Sequence, residues 1–223
     1  MLILGIDTST NVLAIALMRD DEVLVSLSEP TKNNQSEILM SRLEKVMDQC
    51  QVRPTDVGLI GVAVGPGSYT GIRVGVAAAK SLGYALDVPV VGVSSLEVMA
   101  VASGAGGVVI PLIDARRGTV FASIVDDGRV VLPEGHYELE DLLRQLPAGQ
   151  AISFVGDGGV VQAHKERILS GFNGCEVVME DQFKRGKAEV VAELALGGSP
   201  IKNIHELVPN YLRKTEAEVN AGV

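Results

Sequence analysis

Two short runs in this 223-residue chain end an apolar stretch with an acid and follow it with hydroxyl or cationic side chains. Asp7-Thr8-Ser9-Thr10 follows Met1 to Ile6, and Asp114-Ala115-Arg116-Arg117-Gly118 closes the run that begins at Val108. A carboxylate beside hydroxyls suits a hydrated metal ion and the oxygens of a phosphate. Adjacent arginines, Arg116 and Arg117, suit an anion through charge-assisted bonds. The same residue types also make ordinary turns whose side chains bond to the local backbone. A third run, Gly156-Asp157-Gly158-Gly159, lets an adenosine or another flat group approach the backbone, and it equally suits a structural turn. Asp7, Thr8, Ser9, Thr10, Gly156, Asp157 and Gly158 are therefore the candidate nucleotide-binding residues.

A fourth run, Gly65-Pro66-Gly67-Ser68-Tyr69-Thr70-Gly71-Ile72-Arg73, lies between an apolar stretch and a helix-like segment. Glycine gives up backbone entropy in a regular element and proline lacks a donor, so this density of both predicts a strand-to-helix turn. Such a turn is either a tight connection or a place where a ligand or neighbouring chain approaches amides at a helix start. Ser68 has no histidine or lysine that the sequence places beside it, which leaves a nucleophilic serine unsupported. Cys50 and Cys175 lack metal-like spacing, and His136, His164 and His205 include no i, i+4 pair. No metal site and no catalytic residue is assigned.

These residues must be positioned by elements, and the composition says which kind. Hydrophobic residues make up 47% and aromatics only 4%, with no tryptophan. That is the signature of an α/β protein with buried strands. A formal net charge of −9 argues against this chain alone gripping a nucleic-acid backbone. No apolar run approaches the roughly 20 residues of a membrane span, and no secretory leader is evident, so a cytoplasmic, reducing location is expected.

Short apolar runs over Met1 to Ile6, Leu13 to Met18 and Val23 to Leu27 predict a three-strand meander. A helix follows Asn34, read as a cap opening a capping box with Glu37, with apolar positions at Ile38, Leu39, Leu43, Val46, Met47 and Cys50. Leu59 to Val64 is the next strand, then come a helix over Thr70 to Leu86, a strand over Val88 to Val93 and a serine-capped helix over Ser95 to Ser103. After Gly104 the order begins again. Strands are expected near Val108 to Asp114, Thr119 to Val125, Arg129 to Leu132, Ile152 to Val155 and Glu176 to Val178, with helices near Leu139 to Gln145, Val160 to Ser170 and Lys187 to Leu196. The chain thus reads β-β-β-α-β-α-β-α twice, as two similar lobes, residues 1–104 and 105–223, with a cleft between them. The helix after the Gly65 turn carries so many glycines and alanines that another helix can pack very close to it.

Together these runs resemble the TsaB (YeaZ) family of tRNA threonylcarbamoyladenosine biosynthesis proteins. The resemblance covers essentially the whole chain. It rests on Gly5-Ile6-Asp7-Thr8-Ser9-Thr10, Gly65 to Arg73, Asp114 to Gly118 with Val120-Phe121, and Pro209-Asn210-Tyr211-Leu212-Arg213 with Glu216-Ala217-Glu218. It implies the two-lobed fold of the actin, hexokinase and heat-shock ATPase (ASKHA) superfamily. It also implies a non-catalytic partner of TsaD, the subunit that transfers the threonylcarbamoyl group to the adenosine beside the anticodon. TsaD holds its metal with two histidines around a glutamate; this chain has Asn33-Asn34-Gln35-Ser36-Glu37 there and keeps only the glutamate. By the same resemblance no cofactor is required by this chain itself, ATP or ADP with Mg belongs to the complex with TsaE, and tRNA is reached indirectly. The chain is expected to form a heterodimer with TsaD and a homodimer when alone, through Ile38, Leu39, Arg42, Leu43, Gly71, Ile72, Arg73, Val76 and Ala79. The rival readings are a free-standing ATPase or small-molecule kinase, and a peptidase acting on a partner.

Overall fold

In a computed structural model, residues 1–31, 34–146, 151–156, 168 and 175–212 are described. Strands β1 (Leu2–Asp7), β2 (Val12–Arg19), β3 (Glu22–Pro30), β4 (Val57–Gly65) and β5 (Val90–Ser94) form one five-stranded sheet in the order β3-β2-β1-β4-β5. Strands β6 (Val108–Asp114), β7 (Thr119–Asp126), β8 (Arg129–Glu138), β9 (Ile152–Gly156) and β10 (Cys175–Met179) form a second sheet in the equivalent order, β8-β7-β6-β9-β10. In each, an antiparallel meander supplies three strands and two parallel strands extend the sheet from the first. The duplicated order of elements read from the sequence is therefore a duplicated topology. The expected helix over 160–170 lies outside the described residues, apart from buried Ile168.

Helices α1 (Gln35–Gln49) and α2 (Tyr69–Leu86) cover the outer face of the first sheet. Period-two alternation in β1 sends Leu4 and Ile6 to that face, where they meet Leu39, Leu43, Ile72 and Val76. Ile3 points the other way, toward α5 (Lys187–Gly197). Helix α3 (Ser95–Ser103) lies between the sheets as well, with Leu96 and Met99 against Val109, Ile113 and Val155 of the second sheet and Val98 and Ala102 toward α5. The helix that closes each lobe in sequence thus packs between the two sheets, and α5 covers the sheet of the other lobe. The short α4 (Leu139–Arg144) joins Ile110, Leu112 and Phe154 on the outer face of the second sheet.

Three local expectations need correction. Asn34 precedes α1, but its side chain makes no cap hydrogen bond; its carbonyl accepts from Glu37 N instead, so the helix starts without the predicted box. The cap of α3 is Ser94, whose hydroxyl accepts from Glu97 N, and not the first helical serine. β8 runs six residues past the expected end at Leu132 because pairing with β7 carries it on to Glu138.

Candidate functional site

The first hairpin loop of each lobe opens onto a cleft of about 1190 Å³. Ser9 to Val12 line one side and Ile113 to Arg117 the other. Pro66 to Thr70, Met179 to Asp181 and the returning segment Asn210 to Leu212 complete the wall. The Gly65 run is the predicted strand-to-helix turn, with Ser68 as the cap of α2, its hydroxyl accepting from Gly71 N. That use of the Ser68 hydroxyl is a helix cap rather than an activated nucleophile. The turn's amides serve the chain itself: Ser68 N donates to Ser9 O at 2.7 Å and Ile72 N to Ser68 O at 2.9 Å.

Asp7 and Asp114 stand at equivalent strand ends and form the same turn. Asp7 Oδ1 accepts from Ser9 N at 2.7 Å, and Asp114 Oδ1 from Arg116 N at 2.7 Å. Their second oxygens differ. Asp114 Oδ2 pairs locally with Arg116 at 3.5 Å on the surface, in a loop where Arg116 and Arg117 both adopt positive φ. Asp7 is completely buried, and its Oδ2 faces the ammonium of Lys187 at 3.5 Å without a hydrogen bond of its own.

Lys187 is the residue of this cluster that sequence reasoning missed. It opens α5, is 4% exposed, and donates to Glu180 Oε1 at 2.6 Å and to Thr10 Oγ1 at 2.8 Å. Burial opposes its charge, but Asp7 and then Glu180 outweigh that penalty and hold its pKa above the ordinary lysine value. The rest of the loop is equally engaged. Thr8 Oγ1 donates to Gly71 O at 2.7 Å, Ser9 Oγ to Asp7 Oδ1 at 2.6 Å, and Gln35 Nε2 to Thr10 O at 2.7 Å. Of the candidate nucleotide-binding residues that are described, Ser9 and Thr10 reach the cleft wall. Asp7 and Thr8 are sealed beneath it, Gly156 is buried in β9, and Asp157 and Gly158 lie outside the described residues.

The partner-facing residues also need correction. Leu39, Leu43, Gly71, Ile72, Val76 and Ala79 are buried within the first lobe, because their spacing is that of the face α1 and α2 turn toward the sheet. Gly71 packs so closely on the first loop that a Cβ there would lie 2.1 Å from Thr8 O. Ile38 is half-buried, and half-buried Arg42 is paired with Glu29 at 2.9 Å. Of the expected set, Arg73 alone is exposed. The outward stripe of α2 is Thr70, Arg73, Ala77, Ser81 and Tyr84, and Met40 is exposed on α1. Arg73 lies over the Tyr69 ring, 4.0 Å from its centroid, and its Nε donates to the Tyr211 hydroxyl at 2.6 Å. Tyr211 belongs to the Pro209 motif, which Asn210 N anchors to Val64 O at 2.7 Å; Arg213 and residues 216–218 lie outside the described residues.

The two five-stranded sheets of equal topology, with the first loops facing across a cleft, place this chain in the ASKHA class of α/β folds. Among solved structures it is similar to YeaZ from Pseudomonas aeruginosa, with a TM-score of 0.78 and 24% identity over 95% of this chain and 99% of that one. It is also similar to the ethanolamine utilization protein EutJ from Carboxydothermus hydrogenoformans, with a TM-score of 0.58 and 10% identity over 87% and 90% of the two chains. Residues 28–221 match the family model of TsaD, tRNA N6-adenosine threonylcarbamoyltransferase. The tRNA threonylcarbamoyladenosine biosynthesis protein TsaB of Bacillus subtilis is 37% identical over 98% of this chain and 96% of its own length. The chain belongs to the TsaB family.

Proposed function

We propose that this chain works in tRNA threonylcarbamoyladenosine biosynthesis as the non-catalytic partner and activator of TsaD. The observation that carries the reading is the division of labour around α2. Its inward face closes the first loop, whose acid and hydroxyls are spent on internal bonds. Its outward face offers the small side chains of Ala77 and Ser81 between Arg73 and Tyr84, a surface on which a second helix can lie close. On this reading the chain pairs with TsaD through α1 and α2, and with a second copy of itself when TsaD is absent. TsaE docks on the pair, with ATP or ADP and Mg near that contact, and TsaD carries most of the tRNA phosphate contacts. The setting is the cytoplasm; among the described residues no helix is long and apolar enough to cross a membrane.

The test is reconstitution of TsaD, TsaE, a source of threonylcarbamoyl-adenylate and unmodified tRNA, with and without this chain. Modification that requires the chain is the expected result, and modification at the same rate without it overturns the reading. Ala77→Glu and Ser81→Glu, both at exposed positions, should abolish co-elution with TsaD while leaving the circular dichroism spectrum and Tm of the free chain unchanged. Ile72→Asp and Ala79→Glu probe the core instead of the interface, since those side chains are 2% and 0% exposed.

A further inference from the structure

An ASKHA first loop with an acid at the end of its first strand is a natural seat for a divalent cation, but the residues around Asp7 do not fit one. The oxygens that would face the ion are Asp7 Oδ2, Glu180 Oε1 and Thr10 Oγ1, drawn from the end of β1, the turn after β10 and the first loop. All three already surround a single nitrogen, Lys187 Nζ, at 3.5, 2.6 and 2.8 Å. We propose that Lys187 supplies the resident cation of this site, so that its ammonium replaces a divalent metal and makes the joint between the first loop and α5 independent of metal. The buried Asp7 oxygen with no hydrogen bond is what marks the site as a seat for a charge: the nearest charge to it is the Lys187 ammonium at 3.5 Å.

The position of the lysine is fixed by backbone contact rather than by a flexible reach. Gly5 of β1 lets α5 approach until a Cβ there would stand 2.1 Å from Ala188 O. Ala14 and Ala16 of β2 pack on Ala188 from the same side. Lys187 is thereby delivered two residues along β1 from Gly5, beside Asp7, and its stem is enclosed. A metal ion has no room there until the lysine side chain is removed. Any nucleotide that enters the cleft would then have to bind without a metal bridge to Asp7.

The test uses the full-length protein and Ca2+, Mg2+ and Mn2+ as probes. Wild type should melt at the same temperature in chelator and in each cation, and should show no Mn2+ paramagnetic resonance signal that Asp7→Asn removes. Lys187→Ala should melt lower by on the order of 10 °C. It should regain part of that loss as Ca2+ is raised, Ca2+ tolerating irregular oxygen shells better than Mg2+, and the double variant Asp7→Asn, Lys187→Ala should regain none. Should Lys187→Ala fold only with Ca2+ present, the proposal stands. Should it fold in neither condition, Asp7→Asn, Glu180→Gln, Lys187→Met decides: a folded triple variant shows that the lysine's task is charge, and an unfolded one overturns the proposal. An Asp7-dependent metal site in the wild type, or a folded Lys187→Ala indifferent to every cation, also overturns it.

Discussion

A lysine in the first turn of a helix faces the positive end of the helix dipole, so Lys187 is held there by its two carboxylates and not by α5 itself. Because Asp7 and Glu180 raise its pKa in the folded chain against the penalty of burial, its contribution to stability is complete below the ordinary lysine pKa of 10.5 and is lost as pH rises through the higher folded value. Urea unfolding between neutral and strongly alkaline pH should therefore show a steeper alkaline loss in wild type than in Lys187→Met. Parallel curves would show that the lysine does not titrate with folding. At neutral pH Lys187→Met should cost about 3–5 kcal/mol, because it leaves the buried Asp7 carboxylate and the half-buried Glu180 carboxylate without their cation. None of this was legible in the sequence, where Thr10 and Lys187 are 177 positions apart. The local sign was there all the same: a lysine at the very first position of a mostly apolar helix, at the end that disfavours a cation. Asp7 was legible as a special position, but its partner was not, and its chemistry depends on the partner.

At the scale of elements, α5 lies on the first sheet through small residues on both sides. Gly5 and Gly61 are register partners in β1 and β4, and Cβ atoms on them would meet Ala188 O at 2.1 Å and Ala195 Cβ at 2.7 Å. Gly5→Ala must push α5 away and should cost about 1–3 kcal/mol. Gly118→Ala meets no atom within 4 Å and strains only the local backbone, whose φ is +81°, and should cost roughly 1 kcal/mol. Because the displaced helix carries Lys187, Gly5→Ala and Lys187→Met should be far from additive, whereas Gly118→Ala should add to either. Urea denaturation of the single and double variants reads both couplings; additive losses for the Gly5 pair would mean that α5 moves without disturbing the ion cluster. The elements themselves were legible because apolar runs of alternating and helical period are local properties, and α3 matches the expected bounds of Ser95 and Ser103. The faces of α2 were not legible, because small and apolar residues nearly surround the helix. Nor was the one that the sheet would take, since small side chains occur on both, with Ala79 inward and Ala77 outward, and six of the nine interface residues chosen from the sequence proved to be core.

For the whole molecule, the repeated order β-β-β-α-β-α-β-α predicts two lobes but is silent on which sheet each closing helix covers. The order of elements fixes sequence neighbours, and a helix at a lobe's end has two sheets within reach. Here α5 covers Ile3, Leu59, Val91 and Val93 of the first sheet, and Leu96 and Met99 of α3 fill the inner face of the second. The segment after α5 also returns to the first lobe, with Leu207 buried in its core, Ile201 N bonded to Val90 O at 2.9 Å and Lys80 Nζ donating to His205 O and Leu207 O. A fragment of residues 1–104 would strip α5 from the inner face of its sheet, keep only α3 on that side, and leave Asp7 without its cation. That apolar loss is of the size of a small domain's net stability, at about 1.5–3 kcal/mol for each large side chain bared. The fragment should therefore give poorly dispersed amide resonances and no cooperative thermal transition, while the full chain unfolds in a single transition seen alike by circular dichroism and tyrosine fluorescence. A fragment that melts cooperatively on its own would show that the first sheet holds together without α5, and the stability of the chain would then have to be assigned lobe by lobe.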